Sequence, residues 1–456
     1  MCLILSLGSL AQAAPFNWNA LNGGNWSLTT AAGWDTGGGA DYPKSADDVA
    51  NVNKNINPDK TITIDVADAK TGTLFLSDNQ GSPTSHWNIG GANPLTFEVT
   101  SGDALLNIGR SSGASVFSAP IILNSDLEIR TQATSEGVEI SSEISDGSGS
   151  HGLIKTQDNL LTLSGVNIFT GKTAVTGGTV RVFADSGLGT APVSPVADSI
   201  TLNGGTLDTQ GPGNFAIDPN RGMTLGAGGG TWSTTTPSGS HIATYNGVIT
   251  GPGSLTKAAG QTLILGGLNA YAGNTLITGG VLRIFADRAL GTAPVSPVAD
   301  SITLDGGTLE TRGPTSFTID SNRGITLGAG GGTWMTTTPS GSHTATYDGV
   351  ITAVGSLTKT FGAVLRLGGD NDFSGGLVVT SGNLYLSGNN AITGGQHHRR
   401  EFENRKHRSL ECGSAQRRGH HGGQLDPNRE QHHDRRFERN GWHGEKRRCH
   451  RRDTHH

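Results

Sequence analysis

The sequence predicts an all-β chain, a right-handed parallel β-helix followed by a disordered basic C-terminal tail. Three observations predict it. The stretch 186–209, SGLGTAPVSPVADSITLNGGTLDT, recurs at 288–311 with 20 of 24 positions identical, an offset of 102 residues. Short aliphatic runs of period 2 fill the chain between glycine pairs. Glycine supplies 70 of 456 residues with no Gly-X-Y period, which excludes collagen, and only 16% of residues are charged. A repeat of this kind signals stacked structural units, and an enzyme rarely needs its site twice in one chain.

Residues 1–13 read as a secretory signal peptide. Leu3 to Leu10 form an apolar segment and Ala11-Gln12-Ala13 offers a small-residue cleavage site. The only cysteines are Cys2, Cys412 and Cys449, so an exported body must be held by backbone ladders and core burial instead of disulfides. No later run is long and apolar enough to span a bilayer.

Residues 14–152 form a divergent N-terminal β-helical region. Unit 1 then covers 153–254, unit 2 covers 255–356, and a truncated unit 3 covers 357–395. Within the units Leu161 and Leu163 flank Thr162, Leu263 and Leu265 flank Ile264, and Leu365 and Leu367 flank Arg366. Period 2 sends the leucines to one side of a strand and the intervening residue to the other. Arg181 and Arg283, flanked by Val180 and Val182 and by Leu282 and Ile284, are expected on a solvent face. Glycine pairs at 177–178, 204–205, 279–280 and 306–307 stop each strand before a helical period develops.

Strands this short and frequent favour a β-helix over serial sandwiches or a propeller. With coils of roughly 20 residues the unit would take about five coils, and copies would stand about 24 Å apart at the 4.8 Å strand spacing. Asn167, Asn269 and Asn371 follow the leucine strands at corners, where an asparagine amide caps backbone groups. Phe169, Tyr271 and Phe373 come two residues later, as packed corner aromatics or as sugar platforms. Trp232 and Trp334 carry the same two readings.

From residue 396 the composition changes. The last 61 residues hold 11 of the 15 histidines and 16 of the 33 Lys and Arg with 9 Asp and Glu, a net of +7 against −12 for the body. A nucleic-acid arm and a zinc site both fit poorly, because no motif recurs and the His and Cys spacings match no closed zinc pattern. An out-of-frame continuation of the repeats fits better. Such a tail cannot bury enough apolar area to order itself and is expected to be disordered over 396–456.

Three stretches, 153–182, 255–284 and 357–386, resemble the autotransporter-associated β-strand repeat. GSLTKAAGQTLILGGLNAYAGNTLITGGVL at 253–282 follows its pattern closely. Lys155, Lys257 and Lys359 match its lysine, and Asn167, Asn269 and Asn371 its asparagine. Gly171, Gly273 and Gly375 match the glycine after the aromatic. Gly178 and Gly280 match the closing glycine, where the third copy reads Thr380-Ser381-Gly382. The resemblance implies a secreted or surface-displayed passenger of a Gram-negative bacterium, with a C-terminal translocator or sorting segment as its export partner.

No catalytic, cofactor or metal residues are assigned. Asp185 and Asp287, Asp198 and Asp300, His241 and His343, Asp208 and Glu310, and Asp218 and Asp320 all recur at the unit spacing, as scaffold residues do. No nucleophile elbow, zinc helix motif, phosphate loop or dinucleotide fingerprint is present. The expected role is structural or adhesive, with a surface polymer or glycan as the partner and no nucleic acid. The alternative is an exported carbohydrate-active β-helix enzyme, a polysaccharide lyase or hydrolase.

Overall fold

The computed structural model describes residues 15–27, 33–35, 41–78, 85–109, 113–132, 136–339, 342–398 and 402–404, all within one contact unit, 1–407. The expected signal peptide and all three cysteines lie outside the described residues. Strand follows strand with parallel pairing, and the only antiparallel pair among the described residues joins Phe16–Trp18 to Trp34–Asp35. The only helical turns described are the 3₁₀ segments Asp185–Leu188 and Asp287–Leu290.

Five sheets make three faces of a parallel β-helix. A 15-stranded sheet forms the second face without a break. The third face begins as a four-stranded sheet and continues as a nine-stranded one. Across the gap Ile168 N donates to Ile144 O at 2.8 Å, Thr190 N to Phe169 O at 2.9 Å, and Asp218 N to Asp185 Oδ1 at 2.9 Å. The first face passes likewise from an 11-stranded to a five-stranded sheet. There Ala270 N donates to Ile249 O at 2.7 Å and Thr292 N to Tyr271 O at 3.0 Å.

The alternation read from the sequence holds in space. Leu161, Leu163, Leu263, Leu265, Leu365 and Leu367 are all buried, and each sits in register with a buried aliphatic, alanine or tyrosine neighbour on the preceding coil. Stacking such rows fills the interior and pairs every central strand on both edges. At the N-terminal end Trp18, Trp26 and Trp34 close the core. Their rings meet edge-on at 5.0 Å and 4.9 Å, and Trp34 Nε1 donates to Trp26 O at 2.7 Å. The antiparallel Trp34–Asp35 strand covers the first edge of the first face, which would otherwise template another chain.

The unit takes four coils and one further face, where about five coils in one column were expected. On the first face Leu153 pairs Thr173, Thr173 pairs Ile200, Ile200 pairs Met223, and Met223 pairs Ile249. Residue 255, the counterpart of 153, then stands on the second face beside Gly230, and 357 stands on the third beside Gly332. Coil length explains the shortfall. The signature coil from 153 to 173 takes 20 residues, while the next, 173 to 200, takes 27. Copies are therefore about 21 Å apart along the axis and turned by one face.

At the C-terminal end pairing continues past 395. Gln396–His398 pairs Leu377–Val379 and Phe402–Asn404 pairs Asn383–Leu386. Those six residues depart from the disorder expected for the tail, because the preceding strands offer an unpaired edge to any extended backbone. The remainder of the tail lies outside the described residues.

Candidate functional site

The signature residues converge on one corner device, built three times. Lys155, Lys257 and Lys359 each follow a core leucine by two positions, so strand parity turns them inward. They stack in register on Ile129, Trp232 and Trp334 and are fully buried. Each ammonium reaches the turn that ends its strand. Lys155 Nζ donates to the carbonyls of Thr156, Gln157 and Asp158 at 2.7, 2.9 and 3.1 Å. Lys257 donates to Ala258, Ala259 and Gly279 at 2.5, 3.0 and 3.3 Å, and Lys359 to Thr360, Phe361 and Ser381 at 2.8, 2.8 and 3.3 Å.

Those carbonyls face inward because the second residue after each lysine is left-handed. Gln157, Ala259 and Phe361 have φ of 60°, 61° and 66°. A non-glycine residue there costs about 1–2 kcal/mol, which the charged hydrogen bonds offset. Burial still disfavours the charge, pulling Lys257 down to about 7 and Lys155 and Lys359 to about 8.

The other signature positions knit this turn to its neighbours. Gly178 and Gly280 lie over it with φ of 61° and 62°, and a Cβ at either would overlap the carbonyls of Asn159 or Ala259. Gly382 does the same in the third copy at φ 76°, so the divergent Thr-Ser-Gly keeps the essential residue. At Gly171, Gly273 and Gly375 a Cβ would run into the backbone of the coil below, at residues 151–152, 253–254 and 355–356.

The asparagines are rungs between coils. Asn167, Asn269 and Asn371 are buried, and their Oδ1 atoms accept from the amides of Ile144, Ile249 and Ile351 at 2.9, 2.9 and 3.0 Å. Their Nδ2 atoms donate upward, to Gly187 O at 2.8 Å and Ala289 O at 2.7 Å, and in the third copy to Asn390 Oδ1 at 2.7 Å. Each replaces ladder bonds at a corner that lacks a regular strand. Phe169, Tyr271, Phe373, Trp232 and Trp334 are buried, so they pack the core and offer no sugar platform.

The recurrent charged residues pair across coils. Arg181 meets its register neighbour Asp208, and Arg283 meets Glu310, each at 2.8 Å on the outward side of the strands, where both carboxylates are buried under their arginines. Arg366 lies 4.5 Å from the ring of Tyr385, its neighbour one coil on. Asp185 and Asp287 are bound by Arg221 and Arg323, two buried residues that carried no signal beyond their own 102-residue spacing. Asp198 pairs with Lys172 at 2.6 Å. The side chains of Asp218 and Asp320 accept from the Asn220 and Asn322 amides at 2.8 Å. His241 and His343 are buried, with Nδ1 at 2.6 Å from Gly213 O and 2.8 Å from Thr315 O. Asp185 and Asp218 meet on neighbouring coils, where the Asp218 amide donates to Asp185 Oδ1 at 2.9 Å, and Asp287 and Asp320 do likewise at 3.1 Å. The place where these recurrent acids come together is occupied by the Arg221 or Arg323 guanidinium. Among the described residues no group of three or more His, Cys, Asp or Glu is placed to hold a metal ion.

Comparison with known proteins bears on this corner directly. The passenger-associated-transport-repeat family matches residues 153–182, 255–284 and 357–384, the three segments that carry the lysine, asparagine and glycine positions. Over 256 residues, 53% of this chain, the sequence is 33% identical to the adhesin BmaC autotransporter of Brucella suis biovar 1 (strain 1330). The chain spans 7% of that relative's length. No solved structure matches it. The corner device is thus the structural form of the matched motif, and three segments of the chain match the passenger-associated-transport-repeat.

Proposed function

We propose that the chain serves as a passenger, secreted from or displayed on the surface of a Gram-negative bacterium, with an adhesive and non-enzymatic role. The observation that carries this reading is the threefold match to the passenger repeat, beside 33% identity over 256 residues to an autotransporter adhesin. The physical design supports it. Coils held by backbone ladders and buried lysine and asparagine rungs need no disulfide or metal. A long stack also presents many polar side chains, so weak contacts to a surface polymer or glycan add up by multivalency. A C-terminal translocator or sorting segment is the export partner of this reading.

The test is display of the chain ahead of a β-barrel translocator on a non-adherent Gram-negative host. Protease-accessible chain and increased attachment to host cells or matrix are the expected results. Surface exposure without any gain in attachment over the empty translocator removes the adhesive role. Retention in the periplasm removes the passenger reading.

A further inference from the structure

The third face carries a groove over its first four coils. Its floor is one outward row in register, Lys44, Lys70, Thr96 and Ile122, and Gly147 and Ser148 of the next coil close its far end. Short side chains at Ala67, Gly147 and Ser148 open about 490 Å³ between longer neighbours. That volume lies within the range of small-ligand sites.

The polar groups around it are paired with one another. Glu98 Oε2 accepts from Lys70 at 2.7 Å and from Asn124 Nδ2 at 2.6 Å. Lys44 meets Asp41 at 2.8 Å, and Tyr42 donates to Asp68 at 2.9 Å. Asn124 Oδ1 also receives the Ser148 amide at 3.3 Å. Such pairing lowers the ordering cost of binding. In the middle of this polar row Ile122 points outward and is half-buried.

We propose that this groove binds a neutral oligosaccharide lying along the stack axis. Hydroxyl groups both donate and accept, so they match a rim that alternates lysine and amide donors with carboxylate acceptors. Ile122 gives the apolar face of a sugar ring a surface to lie on. The two lining lysines are already paired, Lys44 with Asp41 and Lys70 with Glu98, and Asp68 adds a carboxylate, so an anionic polymer finds no unpaired lysine there. The biological sense of the site rests on the adhesive reading, as the polymer that reading requires.

Calorimetric titration of the full chain with cellohexaose, laminarihexaose, maltohexaose and mannohexaose tests it, with hexagalacturonate as the anionic comparison. At least one neutral hexasaccharide binds. Its affinity falls roughly tenfold, about 1.4 kcal/mol, in Ile122→Lys and falls likewise in Asn124→Ala. Circular dichroism of both variants checks that the fold is kept, and added salt leaves the affinity unchanged. Failure of every neutral hexasaccharide to bind, binding that survives both variants, or tighter binding of hexagalacturonate overturns the site. If cells displaying Ile122→Lys attach as well as the parent, the groove is wrong while the passenger reading stands; loss of display in the parent sinks that reading whatever the groove binds.

Discussion

The guanidinium of Arg221 meets the carboxylate of Asp185 at 2.9 Å across one coil, and Arg323 meets Asp287 at the same 2.9 Å one unit later. Each arginine is buried, and its remaining donors reach the carbonyls of Leu188 and Gly189 at 3.0 and 2.5 Å, or of Leu290 and Gly291 at 3.0 and 2.7 Å. The repeated LGTAPVSPV loop is thereby pinned at its root, while Val193 and Val295 at its tip are fully exposed.

Arg221→Met removes every one of those bonds and leaves the loop root unsatisfied. Breaking a buried pair from one side costs about 3–5 kcal/mol. The expected result is faster hydrogen exchange and new proteolytic cleavage within 188–197, with 290–299 unaffected in the same molecule. Unchanged protection of the first loop would show that its backbone bonds suffice.

The buried lysines give the stack a pH dependence of definite sign. Lys257 titrates near 7 in the folded chain and Lys155 and Lys359 near 8. The unfolded lysine titrates near 10.4. Between these values the unfolded chain binds more protons, so stability rises with pH from about 7 to about 10 and is flat below. Chemical denaturation across that range measures the rise. It should shrink when Lys257 is replaced by Met, and an undiminished slope in Lys257→Met would show that the carbonyl cradle keeps the ammonium charged throughout.

The turn beside each lysine distinguishes strain from space. Ala259 at φ 61° carries a left-handed penalty of about 1–2 kcal/mol, while glycine there costs about 0.4–1 kcal/mol in chain entropy. Ala259→Gly is therefore expected to stabilise by roughly 0.5–1 kcal/mol. Gly280→Ala acts oppositely, because its Cβ would overlap the carbonyls of Ala259 and Gln261 at φ 62°. Unfolding midpoints that move in the same direction for both changes refute this account.

Asn269 links three coils through two buried bonds at 2.9 and 2.7 Å. Asn269→Leu leaves the Ile249 amide and the Ala289 carbonyl without those partners, at about 1–3 kcal/mol each. Denaturant unfolding should show a loss of that order, and a loss below half of it would assign the rung to water.

Much of this was legible in the sequence, and the exceptions have physical causes. Strand parity placed Leu161, Leu263 and Leu365 correctly because period 2 depends only on the backbone. The same parity, applied to Leu-x-Lys, points Lys257 inward, against the usual expectation for a cation. Phe169 and Trp232 stayed ambiguous because an aromatic beside a turn packs inward or outward with the same local sequence. Arg221 and Asp185 are 36 positions apart, and nothing local connects them. The step from one face to the next was hidden because coil length varies within a unit. It is 19 residues from Leu160 to Thr179 and 28 from Phe215 to Ala243, so the offset of 102 does not divide into equal coils.

That step governs which deletions the fold tolerates. A unit of 102 residues adds four coils and one face, so every copy presents the same edge to the next. Leu255 stacks on Gly230 as Leu357 stacks on Gly332. Joining residue 254 to residue 357 therefore seats Leu357 on Gly230 and keeps each strand's inward side inward. The deletion should retain a β-dominated spectrum and a cooperative transition. Removing one further residue within the strand Leu357–Thr360 reverses the faces of the chain beyond it and turns Lys359 and its neighbours inside out. That second deletion should lose ordered structure beyond the junction, read by hydrogen exchange over 357–386. Equal protection in the two deletions would mean that the three repeats are not interchangeable rungs of one ladder.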